Sequence, residues 1–321
     1  MKKENNSIID LRRVKLPGCG RCGNREEREK NSELGICENN KSTLDELPIR
    51  CVGEWANEKI HYLLRYFDIF AIGMHRKWKS KIRYVEICSG PGRCSTRDGF
   101  EQDGTALAIL NHPSFQYVED ALFIDYNETA VEALNQRIAL LKMSSKAQAV
   151  LGDYNHPEAL VESLKKNPFE GIALCLVDPT SCDVPFETIQ ILAQNAGAKT
   201  DFIISFFTNS DFRRNGADAT LRAEFAEARS KYTRFLGCQS FFDQDSVRRA
   251  ALSKDHNALL QLFMASYRES LKRIDKPFQD MVPIGRLYHL LFATSHERGV
   301  DFWKKAKSVE PSGQNFLPGW N

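Results

Sequence analysis

No stretch of this sequence approaches the roughly 18–20 uninterrupted apolar residues that cross a bilayer, so no membrane-spanning helix is expected. Residues 1–6 carry positive charge, but no apolar segment follows them. No secretory signal is therefore expected, and the cytoplasm is the expected compartment. An excess of one charge is also missing. Lys and Arg number 44 against 42 Asp and Glu, a net charge of +2, which gives no argument for a nucleic-acid coat or an acidic partner. Repeats and long low-complexity segments are absent. Nine cysteines are an odd number, and in a reducing compartment they argue against a disulfide framework. Clustered cysteines are then expected to be metal ligands and scattered ones small buried hydrophobes. The 321 residues, 42% apolar with 20 phenylalanines, suffice for one large α/β domain with an appendage.

Residues 1–52 are polar and turn-rich, too thin in apolar side chains for a core of their own. From Glu54 the pattern changes. Trp55, Ile60, Leu63, Leu64, Phe67 and Phe70 fall at helical spacing and predict an amphipathic helix over about 54–72. Strands are then expected at 82–88, 121–126, 147–151, 172–177 and 202–207. Helices are expected between them, at 105–110, 128–142, 157–166 and 186–194. The wholly apolar 172–177 run fits a buried central strand of a parallel sheet. After Asn209 some 65 residues read as polar and helical. Residues 281–284 and 287–294 are expected to form a hairpin across Gly285, and 301–307 a last short helix. The alternating order predicts an α/β fold with a doubly wound, mostly parallel sheet and a helical insertion over about 210–275.

In such sheets, ligands sit at the C-terminal ends of the strands. The first strand runs into Glu86-Ile87-Cys88-Ser89-Gly90-Pro91-Gly92. Gly90 and Gly92 lack side chains where backbone must come close to a ligand, and Glu86 places a carboxylate at the same edge. The full G-x-G-x-x-G spacing is absent, so the run is similar to the first motif of S-adenosylmethionine (SAM) methyltransferases rather than to a dinucleotide fingerprint. The second strand ends in Asp125, suited to a ribose diol. The third leads to Gly152-Asp153-Tyr154-Asn155, where Asp153 and Tyr154 suit an adenine. The fourth ends in Asp178-Pro179-Thr180-Ser181. The gap from Glu86 to Asp125 exceeds the ~20 residues usual between these two roles, which requires an insertion over 95–120. Asp178-Pro179 stands where amino-methyltransferases place an Asp/Asn-Pro-Pro-aromatic grip, here incomplete at Thr180 and Ser181. Cys94 and Cys182 are expected at the pocket rim, where a thiol nucleophile is an alternative.

Cys19-x2-Cys22-x14-Cys37-x13-Cys51 supplies four thiolates, a set that suits tetrahedral structural zinc. An iron–sulfur cluster and a metal-free segment are the alternatives. The remaining histidines show no ligand spacing.

Taken together, the motifs from Trp55 to Trp303 resemble the three-Cys-motif partner family, TcmP. They are Trp55-x3-Lys59, Tyr84-x-Glu86-x3-Gly90-Pro91-Gly92, Gly104-Thr105-Ala106-Leu107-Ala108, Phe123-Ile124-Asp125, Gly152-Asp153-Tyr154-Asn155, Val177-Asp178-Pro179, Arg213-Arg214-Asn215 and Tyr288-His289-Leu290-Leu291-Phe292-Ala293-Thr294. The resemblance implies a SAM-methyltransferase-like Rossmann domain over 53–321, a bacterial or mobile-element protein, and a separate radical-SAM-type partner carrying three cysteines. Two departures stand out. The family commonly has aspartate where Glu86 stands, and glycine soon after the Asp-Pro pair, where this chain has Thr180-Ser181-Cys182. The Cys-rich 1–52 segment lies outside the family core and reads as an added zinc knuckle. A second similarity, to RNA ribose methyltransferases through Ser89-Gly90-Pro91-Gly92, lacks the lysine that those enzymes need after the fifth strand. The expected function is SAM-dependent methylation of a nucleic-acid base or modified nucleoside, with Asp178 and Pro179 orienting the acceptor. The alternatives are a non-catalytic docking protein on a degenerate methyltransferase fold, and a Mg²⁺-dependent nuclease using Asp125, Asp153 and Asp178.

Overall fold

Alternating apolar strands and amphipathic helices form the α/β architecture that their order dictates. The computed structural model describes residues 14–15, 41–96, 100–166 and 168–311. Among the described residues the main sheet has seven strands and is mostly parallel. The described residues divide into two compact units. One runs to Leu151 and takes in the residues from Phe302 onward; the other spans Gly152–Asp301.

The first unit contains β1 (Val14–Lys15), β2 (Arg50–Val52), α1 (Trp55–Met74), β3 (Ile82–Ile87), β4 (Arg93–Thr96), β5 (Phe100–Asp103), α2 (Thr105–Leu110), β6 (Asp120–Asp125), α3 (Glu128–Leu140) and β7 (Ala147–Leu151). In α1, Ile60, Leu63, Leu64, Phe67 and Phe70 of the predicted stripe are buried, whereas Trp55 at its start is half-buried. Each large apolar side chain so buried contributes roughly 1.5–3 kcal/mol. Phe67 packs edge-on against Tyr84 of β3, and Tyr66 against Trp303. β3 pairs in parallel with β6, and β6 with β7. Every residue of β3 is buried, including Arg83, whose guanidinium is neutralised by Asp120 at 2.6 Å.

The expected insertion between Glu86 and Asp125 is present, and it holds the strands β4 and β5 beside the expected helix α2. β4 and β5 form an antiparallel hairpin inside a second, four-stranded sheet of order β1-β5-β4-β2. β2 joins it in parallel with β4, so Arg50–Val52 packs on the insertion. Arg93, Ser95, Glu101, Gln102 and Asp103 are all buried there. Polar composition hid this hairpin from periodicity, because its buried charges satisfy one another.

The second unit contains α4 (Pro157–Lys166), β8 (Ile172–Val177), α5 (Phe186–Asn195), β9 (Lys199–Phe206), α6 (Arg213–Leu221), α7 (Ala226–Leu236), α8 (Asp245–Leu252), α9 (His256–Arg273), β10 (Phe278–Ile284), β11 (Tyr288–Thr294) and the start of α10 (Glu297–Lys307). β8 is buried throughout and parallel to β9, whereas β11 runs antiparallel to both β9 and β10. β9 begins three residues before the apolar run that marks it. Asp201 tolerates that buried start because Thr294 of β11 donates its hydroxyl to the carboxylate. Helices α6–α9 are the helical insertion, closed on an aromatic core. Phe212 stacks on Phe263 with centroids 3.6 Å apart, and Phe235 on Tyr267 at 4.7 Å.

Candidate functional site

The turn after β3 is built from left-handed backbone. Cys88, Gly90 and Gly92 have φ of 65°, 62° and 93°. Such alternation lifts the chain out of the strand and turns successive peptides in different directions. The β6 edge fixes it. Ile124 O accepts the Cys88 N–H at 2.8 Å and the Ser89 N–H at 3.2 Å, and Asp125 Oδ2 accepts the Gly90 N–H at 2.8 Å. The other Asp125 oxygen accepts the Asn127 N–H at 3.0 Å. Two of the four lone-pair positions of this carboxylate are thus used by backbone.

Glu86 is fully buried, and its two oxygens accept the hydroxyls of Tyr84 and Thr105. Thr105 opens α2, immediately after Gly104, whose N–H donates to Gly92 O at 2.7 Å. A Cβ on Gly104 would meet that same oxygen at 3.0 Å, and a Cβ on Gly92 would meet Leu134 at 2.8 Å and Leu107 at 3.1 Å. At Gly90 a Cβ would meet, among the described residues, only Arg50, at 3.9 Å. Gly92 therefore faces packed core, whereas Gly90 faces open space among the described residues. The structure brings Glu86, Gly90, Gly92 and Asp125 to one edge of the first unit. Sequence reasoning missed Arg137 of α3, which donates to Pro91 O in the turn and to Asp45. No local spacing could reveal a pair 92 residues apart.

In the second unit, Asp153 Oδ1 accepts the Asn155 N–H at 2.8 Å in a local turn. Tyr154 donates its hydroxyl to Asp183 Oδ2 at 3.0 Å, and its carbonyl accepts Thr188 Oγ1 at 2.8 Å. Asp178 Oδ1 takes the hydroxyl of Ser205 from β9 at 2.5 Å, and Pro179 is buried behind it. Asp183 Oδ1 is buried with no hydrogen-bond partner among the described residues. Burial pushes the Asp183 carboxyl above the ordinary carboxylate range, against the pull of Ser181 and Tyr154.

The chain leaves β9 through one π-helical turn, Thr208–Phe212, a rare geometry often found at functional positions. Asp211 in that turn accepts Tyr232 Oη at 2.6 Å, Lys231 Nζ at 2.8 Å and the Cys182 N–H at 2.8 Å. Burial works to raise its pKa, but these donors outweigh it and hold the carboxyl below its ordinary value. A lysine thus stands at the turn after the fifth strand of the alternating series, delivered by α7 rather than by the strand.

Two thiols expected at the rim are core groups. Cys94 is 4% exposed, and burial pushes its thiol up to about 12; Cys182 is fully buried and its thiol is raised well above the ordinary value. Burial disfavours the thiolate and closes off both sulfurs, which argues against a nucleophilic role for either. Of the four proposed zinc ligands, Cys19, Cys22 and Cys37 lie outside the described residues. Cys51 sits in β2 with its sulfur 3.5 Å from Ser95 Oγ. Among the described residues, no three His, Cys, Asp or Glu side chains converge to hold a metal, and no helix is long and apolar enough to cross a membrane.

No family model and no curated protein matches the chain. Solved structures do. TomG, an O-methyltransferase from Streptomyces achromogenes in complex with SAM, is 11% identical over 83% of this chain and 86% of its own, with a TM-score of 0.39. Trm1 from Pyrococcus horikoshii with S-adenosyl-L-methionine is 10% identical over 76% of this chain and 56% of its own, with a TM-score of 0.41. PigF with SAH is 13% identical over 75% and 56%, with a TM-score of 0.37. At these levels the neighbours say nothing of this chain's substrate or chemistry.

Proposed function

We propose that this protein is a SAM-dependent methyltransferase of the three-Cys-motif partner type. It would act on a nucleic-acid base or modified nucleoside together with a three-cysteine, radical-SAM-type protein. The observation that carries the reading is the left-handed turn at Cys88–Gly92, tied by the Gly90 N–H to the carboxylate that ends β6. The residues present fit SAM. Ser89 Oγ, in the turn, is buried without a hydrogen-bond partner among the described residues. Among the described residues, Asp125 keeps two lone-pair positions for a ribose diol, and Gly90 has no side-chain wall on its open face. The antiparallel β10–β11 ending is the usual finish of a SAM methyltransferase sheet.

SAM brings an electrophilic methyl group with its own leaving group, so the protein's work is binding and orientation. Gly90 and Gly92 would receive the methionine end, with Glu86 holding Thr105 and Tyr84 behind them. Asp125 would hold the ribose, and Asp153 with Tyr154 the adenine. Asp178, oriented by Ser205, and Pro179 would hold the acceptor amine so that its lone pair is free. The Cys19, Cys22, Cys37 and Cys51 set would bind structural zinc.

Calorimetric titration with SAM tests this reading. Wild type is expected to bind, and Gly90→Ala to bind more weakly at unchanged fold. No heat from wild type sinks it. A second reading, a docking protein without turnover, is favoured by Thr180 and Ser181 standing where the acceptor grip needs proline and an aromatic. SAM binding, with methyl transfer to total RNA or DNA undetectable even with the three-cysteine partner present, would select it. The nuclease reading needs a carboxylate group for Mg²⁺, and no such group of three is present among the described residues.

A further inference from the structure

Arg137 is 2% exposed, and each of its five N–H donors has an acceptor. Nε and Nη2 bind Asp45 Oδ2 and Oδ1 side-on, both at 2.8 Å. Nη2 also reaches Leu47 O at 3.4 Å. Nη1 reaches Pro48 O at 2.9 Å and Pro91 O at 2.5 Å. Four acceptors therefore lie in the 45–48 segment, and the fifth lies in the glycine turn. Asp45 responds to its partner: burial raises its pKa, but the Arg137 bonds outweigh that and hold it below the ordinary value.

The same segment holds the other flank of the turn. Arg93, directly after Gly92, donates to Glu101 and Asp103 of β5, each at 2.5 Å. Glu101 is fully buried and accepts the hydroxyl of Ser42 and both the N–H and the hydroxyl of Thr43. Residues 42–48 thus grip the Gly90-Pro91-Gly92 turn on both sides, through two buried arginines.

A turn made of left-handed residues has no ladder to fix its peptide planes. Pro91 has no N–H, so its carbonyl is the only backbone handle at the middle of the turn. Fixing that carbonyl fixes the peptide that carries the Gly92 N–H. We infer that Arg137 is a positioning residue for the cofactor, oriented by Asp45, and that the 42–48 segment belongs to the SAM site without touching the ligand. The inference rests on the SAM reading above. A lysine cannot replace Arg137, because three donors on a point charge cannot span a carboxylate fork and three carbonyls.

The test titrates the full-length protein with S-adenosylhomocysteine by calorimetry. The variants are Arg137→Lys and Asp45→Asn, each measured at a temperature where circular dichroism shows it folded. Arg83→Lys is the control, a buried arginine of the same unit paired with Asp120. Spectra of ¹⁵N-glycine-labelled protein follow the Gly90 and Gly92 amides without ligand. Wild type is expected to bind. Arg137→Lys and Asp45→Asn are expected to bind about tenfold more weakly or worse, with both glycine amides displaced. Arg83→Lys should lose stability while its affinity and those amides stay as in wild type. Folded Arg137 and Asp45 variants with wild-type affinity and unmoved amides would overturn the inference. If Arg137→Lys does not fold, Asp45→Asn, which keeps the side-chain shape, decides alone. If wild type itself does not bind, the SAM reading fails and this role falls with it, an outcome distinct from wild-type binding that the variants retain.

Discussion

Gly90 and Gly92 stand two residues apart in one turn, yet alanine at each should do opposite things. At Gly92, φ is 93°, a region that costs an L-residue about 1–3 kcal/mol. The added methyl would also meet Leu134 at 2.8 Å and Leu107 at 3.1 Å, both from buried helix faces. Overpacking of this kind costs about 1–3 kcal/mol more. Gly92→Ala should therefore lose about 2–6 kcal/mol, a large share of the 5–15 kcal/mol typical of a folded protein. At Gly90, φ of 62° lies in the left-handed helical region, which costs about 1–2 kcal/mol, and among the described residues the methyl meets nothing closer than Arg50 at 3.9 Å. Gly90→Ala should therefore lose only about 1–2 kcal/mol, while placing a methyl on the face assigned to the ligand. Urea titration of both variants measures the stabilities, and SAM calorimetry the affinities. The expected result is a stability ranking of Gly92→Ala well below Gly90→Ala, with the affinity loss concentrated in Gly90→Ala. Equal stabilities would refute the packing argument, and unchanged affinity in Gly90→Ala would refute the assignment of that face.

Asp183→Asn should raise stability near neutral pH, because the raised carboxyl binds its proton more tightly folded than unfolded and loses stability as pH rises through that window. Tyr154→Phe should not share the gain; denaturant titrations at about pH 4 and pH 7 check both. Lys276 is 4% exposed, donates to Ser295 Oγ at 2.8 Å, and burial lowers its pKa. The unfolded chain thus binds more protons between that lowered value and the ordinary lysine value of about 10.4, so stability should climb with pH there. Lys276→Met should abolish the climb and be no less stable than wild type at neutral pH, as seen by the same titrations. Elemental analysis should find zinc in the purified protein and its loss in Cys19→Ser with Cys22→Ser; equal zinc in both would refute the ligand set.

What could be read from the sequence is what burial writes into it. β8 announces itself as an apolar run and β3 as one broken by Arg83 and Glu86, and all of their residues are buried. The α1 stripe is legible for the same reason. The β4–β5 hairpin is not, because Arg93, Glu101 and Asp103 are buried as a mutually bonded set and look like solvent-facing residues in sequence. At the candidate site, the acidic strand ends and the glycines could be listed from order alone. Their partners could not: Thr105 for Glu86, Ser205 for Asp178 and Arg137 for Pro91 come from other elements, and only the fold juxtaposes them.

Those partners change what the acidic strand ends do. Read along the chain, Glu86 and Asp125 are carboxylates waiting for a ligand. In the fold, Glu86 is engaged by two hydroxyls and Asp125 by two backbone N–H groups. A carboxylate committed in this way acts first on the protein: it fixes where the Gly90 peptide and the start of α2 point. The remaining lone pairs of Asp125 are then presented in one orientation, so a ligand diol would meet an acceptor that loses no rotamer freedom on binding. Arg137 extends the same logic to the Pro91 carbonyl. Preorganisation of this kind explains why the turn is surrounded by buried charge, although a turn held only for packing could be lined with apolar side chains at less desolvation penalty.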